Sequence, residues 1–95
     1  MLHAIVLVHC ATDAIPETAQ AIADVEGVSE VYSVTGEVDL VAIVRVARQD
    51  DLARVIPEGV AKVPGVTHTE TLTAFQVYSR HDLERLFSVG FDDAD

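Results

Sequence analysis

The stretch Leu2-His3-Ala4-Ile5-Val6-Leu7-Val8 returns 38 positions later as Leu40-Val41-Ala42-Ile43-Val44-Arg45-Val46. Carried without gaps over residues 2–35 and 40–73, the same shift gives identities at 11 of 34 positions. They fall at Leu2/Leu40, Ala4/Ala42, Ile5/Ile43, Val6/Val44, Val8/Val46 and Asp13/Asp51, then at Ala23/Ala61, Val25/Val63, Gly27/Gly65, Val28/Val66 and Thr35/Thr73. The order of the matches carries more weight than their number, because Ala and Val are abundant here. They cluster where equivalent strands would begin and where equivalent helices would end, as an internal structural repeat requires.

Each half reads strand–helix–strand. In the first, His3–Cys10 is rich in Ile, Val and Leu and reads as a strand. Asp13 is placed to cap a helix running to about Val25, with Pro16 in its first turn. Gly27 stops that helix, and Val28–Thr35 is the second strand. Gly36-Glu37, with glycine first, reads as a two-residue hairpin turn. In the second half, Val38–Ala47 is a strand and Asp50 or Asp51 caps a helix reaching Val63. Pro57 and Gly59 predict a kink or break inside it. Val66–Tyr78 is the fourth strand. Ser79 and Asp82 open a short C-terminal helix carrying Leu83, Leu86 and Phe87, followed by an acidic tail. Two βαβ halves joined by a hairpin make a ferredoxin-like βαββαβ sandwich of the α+β class, with a four-stranded antiparallel sheet. Right-handed crossovers put the first and third strands in the centre. The domain is expected over residues 1–79, with the helix and tail over 80–95.

Side chains alternate between the faces of a strand. Ala4, Val6, Val8 and Cys10 share one face with Leu40, Ala42, Val44 and Val46, and this wholly apolar face belongs under the helices. The other face carries His3, Ile5, Leu7 and His9 beside Val41, Ile43 and Arg45. Its aliphatic centre would be a contiguous exposed patch on a monomer, and such patches mark interfaces. Burying one aliphatic side chain contributes roughly 1.5–3 kcal/mol. A two-fold homodimer packed through the sheet faces is therefore expected, with His3, Ile5, Leu7, His9, Val41 and Ile43 at its interface.

Composition narrows the functions. Sixteen acids against six bases leave a net charge of −10, and no basic run exists. Nucleic-acid binding rests on neutralising phosphates with Lys and Arg, so direct DNA contact is not expected. The single cysteine, Cys10, lies in an apolar run and reads as a small buried hydrophobe in a reducing compartment. No apolar run reaches membrane-spanning length, and the N-terminus lacks a signal-peptide pattern, so a cytoplasmic protein without membrane contact is expected. His3 and His9 lie roughly 20 Å apart along a strand, too far to share an ion. No H-x-x-x-H or C-x-x-C spacing occurs, and no metal or cofactor is expected. Nothing pairs carboxylates at a catalytic spacing, and no glycine-rich phosphate loop is present, so no catalytic residues are assigned.

Val34-Thr35-Gly36-Glu37-Val38-Asp39-Leu40 resembles the V-T-G-x-x-D-L hairpin of the Lrp/AsnC effector-binding domain, also called the RAM domain. Val63-Pro64-Gly65-Val66, followed by Thr69-Glu70-Thr71, resembles that family's L-P-G-V…T-x-T segment. The resemblance covers about residues 2–78. It implies a module that binds a small effector, an amino acid above all, at interfaces between assembled dimers. By that resemblance Val34, Thr35, Gly36, Glu37 and Asp39 would line the effector site, met by Thr69, Glu70 and Thr71 of a neighbouring chain. Asp39 can accept from an α-ammonium, while a glycine amide and threonine hydroxyls can donate to an α-carboxylate. Taken without the resemblance, Gly36 reads as a turn residue, Asp39 as a partner for hairpin amides and the threonines as good strand formers.

Val38 stands where the family often has an aromatic residue, so a ring contact to the effector is lost. The family's usual N-terminal helix-turn-helix has no counterpart before the first strand. The resemblance thus implies a stand-alone effector domain, able to form dimers and rings of dimers and to co-assemble with full-length regulators. Two other readings share the fold. Dimeric ferredoxin-like barrels host small monooxygenases and isomerases that use His, Asn or Trp, but this chain has no Trp and no Asn. A ligand-free interaction domain would show almost the same sequence.

Overall fold

The two apolar repeats form the central strands of one sheet. The computed structural model describes residues 1–78 and 80. Strand β1 (Leu2–Cys10) leads through a 3-10 turn (Thr12–Ala14) into helix α1 (Ile15–Ala23), then come β2 (Val28–Ser33) and β3 (Leu40–Val46). Helix α2 (Gln49–Val55), a 3-10 turn (Val60–Lys62) and β4 (Val66–Thr73) complete the second half. The four strands are ordered β2-β3-β1-β4, and every neighbouring pair is antiparallel. This is the expected ferredoxin-like plan. The C-terminal helix and the boundary at residue 79 lie, but for Arg80, outside the described residues.

The face assigned to the helices is the core. Ala4, Val6 and Val8 of β1 and Leu40, Ala42 and Val44 of β3 are fully buried, and Cys10 and Val46 nearly so. Ile22 of α1, Val55 of α2, and Ile56, Val60 and Val63 beyond it close over them. Helix α2 ends at Val55, two residues before Pro57, whose ring clashes with the preceding turn and whose nitrogen donates no hydrogen bond. The expected break is therefore present, and a 3-10 turn replaces the helix's second half.

Several boundaries differ from expectation, the helix starts by a residue or two and the end of β4 by more. Asp13 lies in the 3-10 turn and Ala14 holds the N-cap position of α1. Arg48 holds that position in α2, and its N–H donates to the Asp51 carboxylate at 3.3 Å. Asp51 thus satisfies the helix start from three residues downstream. Strand β4 stops at Thr73 rather than Tyr78. Its last ladder pair is Ala4 with Thr73, Ala74 N–H still reaches His3 O at 3.0 Å, and β1 begins at Leu2. Beyond that point β4 has almost no partner strand left.

The repeat also shows in its glycines. Gly65 takes φ +99°, and a Cβ there would meet Thr18 Oγ1 at 2.5 Å. Thr18 is buried, and its hydroxyl donates to Pro64 O at 3.4 Å, which ties α1 to the turn entering β4. Only glycine meets both the left-handed backbone and the close approach. Among the described residues no helix is long and apolar enough to cross a membrane. Gly65→Ala is expected to lower unfolding stability by about 1–3 kcal/mol, read as a lower midpoint with an unchanged slope in urea denaturation.

Candidate functional site

The loop between β2 and β3 has a different shape from the expected two-residue turn. The last ladder pair is Ser33 with Leu40, and Val34 N–H then donates to Asp39 O at 3.1 Å, closing the four residues 35–38. Gly36 takes φ +121° with nothing within 4 Å of a built Cβ, so backbone conformation and not crowding calls for glycine. Val34, Thr35, Gly36 and Glu37 are exposed, while Val38 and Asp39 are half-buried.

Asp39 anchors this loop. Its N–H donates to Val8 O at 3.0 Å, and its carboxylate Oδ2 accepts from Cys10 N–H at 2.9 Å. The partner is thus the end of β1, 29 residues away, and not a hairpin amide. One oxygen in one bond leaves the carboxylate further acceptor positions. Burial, and then the nearby Asp39 charge, pushes the Cys10 thiol above its ordinary range. Cys10 is a buried free thiol.

Thr69, Glu70 and Thr71 lie across β1 from the loop. Val8 pairs with Leu40 on one side and Thr69 on the other, two strand spacings or about 10 Å apart. Register divides the three residues. Thr69 and Thr71 stand opposite Val8 and Val6, on the helix side of the sheet, while Glu70 stands opposite Leu7 on the open side. One chain therefore brings both groups to the same end of β1 but keeps them on its two flanks.

The open face is as expected and larger. His3, Ile5, Leu7, His9, Val41 and Ile43 are each half-buried and alternate with the buried core residues. Leu72 stands opposite Ile5 and Tyr32 opposite Val41, at 45% and 50% exposure, so the apolar surface crosses all four strands. The sequence reading missed both, and strand register is the signal that finds them. Arg45 and Glu30 form an ion pair at 3.9 Å on one rim, where Tyr32 also donates to the Glu30 carboxylate. That hydrogen bond, helped by the Glu30 charge, pushes the Tyr32 hydroxyl above its ordinary range.

A cavity of about 410 Å³ opens at the opposite end of β3, between Val25, Gly27, Val46 and Val55. Its cation, Arg54, is already paired with Asp51, and none of the residues expected at the effector site lines it. The described residues contain no group of three or more His, Cys, Asp or Glu side chains that could hold a metal ion.

A family model described as the Lrp/AsnC ligand binding domain matches residues 3–83. An HTH-type transcriptional regulator of Pyrococcus furiosus is 36% identical over 59 residues, 62% of this chain and 39% of that protein. The chain thus spans 39% of the length of the curated relatives it matches. Among solved structures, TTHA0845 of Thermus thermophilus superposes with a TM-score of 0.78 at 42% identity, over 84% of this chain and 100% of that one. The Neisseria meningitidis transcriptional regulator NMB0573, solved as a complex with L-Met, superposes with a TM-score of 0.72 over 83% of this chain and 53% of that one. Its identity is 17%, so that likeness is one of fold.

The anchoring bond of Asp39 and the burial of Cys10 each make a prediction. Asp39→Ala removes the acceptor for a part-buried amide and should cost about 1–3 kcal/mol of stability, whereas Asp39→Asn keeps an acceptor oxygen and should cost less; urea denaturation of the two variants checks this. The Cys10 thiol ionises more easily unfolded than folded, so the folded state holds the extra proton. Its contribution to stability is complete below the unfolded thiol's range, near pH 9.0, and declines as pH rises through the folded one. Thermal midpoints between pH 8 and pH 10.5 should fall more steeply in the wild type than in Cys10→Ala.

Proposed function

The chain belongs to the family of Lrp/AsnC ligand-binding domains, and on that premise we propose that it is an effector-binding and assembly module whose effector is an amino acid. The observation that carries this reading is the exposed Val34–Glu37 loop, pinned by Asp39 to the same strand that carries the open apolar face. Two copies pair through that face with His3, Ile5, Leu7, His9, Val41 and Ile43 at the contact, joined by Leu72 and Tyr32. The loop of one chain then meets Thr69, Glu70 and Thr71 of a neighbouring copy, supplying the hydroxyls and amides that suit an α-carboxylate.

The charges of these residues point to the ligand's class. Glu37, Asp39 and Glu70 bring three carboxylates and no base, which favours a ligand bearing an ammonium group. The complex of the Neisseria regulator with L-Met is consistent with an amino acid in this fold. With sixteen acids and six bases the chain itself is poorly suited to phosphate backbones. Its curated relatives are named as transcriptional regulators, which supports a regulatory and non-enzymatic role. In this reading the module acts on transcription through the oligomers it forms, including mixed ones with full-length regulators of the family.

A thermal-shift screen against the common amino acids at millimolar concentration tests this. A ligand at 100 times its Kd stabilises by about 2.7 kcal/mol, several degrees for a domain of this size. A shift with one chemical class of amino acid, reduced in Thr35→Val at unchanged ligand-free midpoint, is the expected result. No shift with any amino acid would remove amino-acid sensing and leave an assembly module.

A further inference from the structure

Along the chain His9 looks like a companion of His3, but the fold gives it a different neighbour. In the β1–β4 ladder His9 stands directly opposite His68, just before the register shifts between His9 and Cys10. The two imidazole rings have centroids 5.6 Å apart and planes tilted by 49°. Both belong to the open face of the sheet. Among the described residues His9 Nδ1 is a buried polar atom with no hydrogen-bond partner. Buried polar groups in native proteins are nearly always paired, and an exception asks for a water, an ion or a functional role.

We propose that His9 and His68 form a cross-strand chelate for a late first-row divalent transition metal ion of the Zn²⁺ or Ni²⁺ kind. Two imidazoles bonded to one tetrahedral ion at about 2.1 Å hold their ring centres roughly 5 Å apart, close to the separation already present. Adjacent strands in fixed register hold both rings side by side. Neutral imidazole is a preferred ligand for zinc, copper and nickel and a poor one for magnesium or calcium. An ion between the rings gives the orphaned nitrogen, or its counterpart after a half-turn of the ring, a partner bearing full charge. Glu70 sits on the same face two residues along β4, and the chain's net charge of −10 draws cations towards it. The chain supplies two ligands, so the ion keeps positions open to water or to another donor. This site goes beyond the effector reading; it shares His9 with the proposed pairing face, but both of its ligands come from one chain.

The experiment is calorimetric titration of the untagged chain with ZnCl₂ and, separately, NiCl₂, repeated on His68→Gln, His9→Gln and His3→Gln. The expected result is one saturable ion per chain, weakened about tenfold or more in either His68→Gln or His9→Gln, since losing a first ligand costs at least what losing an outer one does. His3→Gln should bind as the wild type does. His68 is exposed, so His68→Gln keeps its fold and serves if His9→Gln does not; thermal midpoints in EDTA verify this. Absence of saturable binding, binding that survives His68→Gln, or equal loss in His3→Gln would overturn the proposal.

Discussion

Strands β1 and β3 pair through seven consecutive residues, from Leu2 with Val46 to Val8 with Leu40, and the other elements are arranged around that ladder. Central position makes both strands apolar on both faces. The helices can cover only one. Their side of the ladder is built from Ala and Val with one Leu, small enough for Ile22, Val55 and Val60 to pack directly on it. The other side is left half-exposed, with Ile5, Leu7, Val41 and Ile43 at its centre and charged or polar groups at its rim. A 95-residue chain buries a smaller share of its unfolded surface than a larger domain does. A second sheet against the open face is the simplest way to complete such a core.

Strand β1 carries more than its share of the proposed function. Its odd-numbered residues form the middle of the open face. Its C-terminal end receives the Asp39 carboxylate and thereby holds the Val34–Glu37 loop, and its other flank carries Thr69–Thr71. A ligand that touches the loop is therefore one hydrogen bond from the strand through which two copies are proposed to pair. That adjacency would give the proposed effector a direct physical route to assembly. It needs no long-range pathway, only a different preferred position for Asp39 in the two states.

Much of this was legible in the sequence, and the parts that were not share a cause. The repeat located the central strands because apolar alternation records which face is buried. The Gly27/Gly65 match marked equivalent turns, and both glycines take positive φ. Pro57 announced the end of α2. The hairpin turn and the end of β4 were misjudged because Asp39 and His3 decide them through bonds between distant residues, and the helix caps by a residue or two, the usual spread at helix ends. The reading of the loop and the Thr69–Thr71 segment as a site rests on family resemblance and not on local pattern. Asp39's bond to Cys10, the place of Leu72 and Tyr32 on the open face, and the facing of His9 and His68 all depend on strand register, which fixes which distant residues stand opposite each other.

Pairing of two copies through the open sheet face is the claim on which the rest turns, and sedimentation equilibrium of the chain beside Leu7→Glu measures it most directly. The account predicts a wild-type mass at a dimer or a multiple of it at micromolar concentration, and a monomer for Leu7→Glu with its far-ultraviolet circular dichroism retained. A wild-type monomer, or a Leu7→Glu variant that associates as the wild type does, would contradict it.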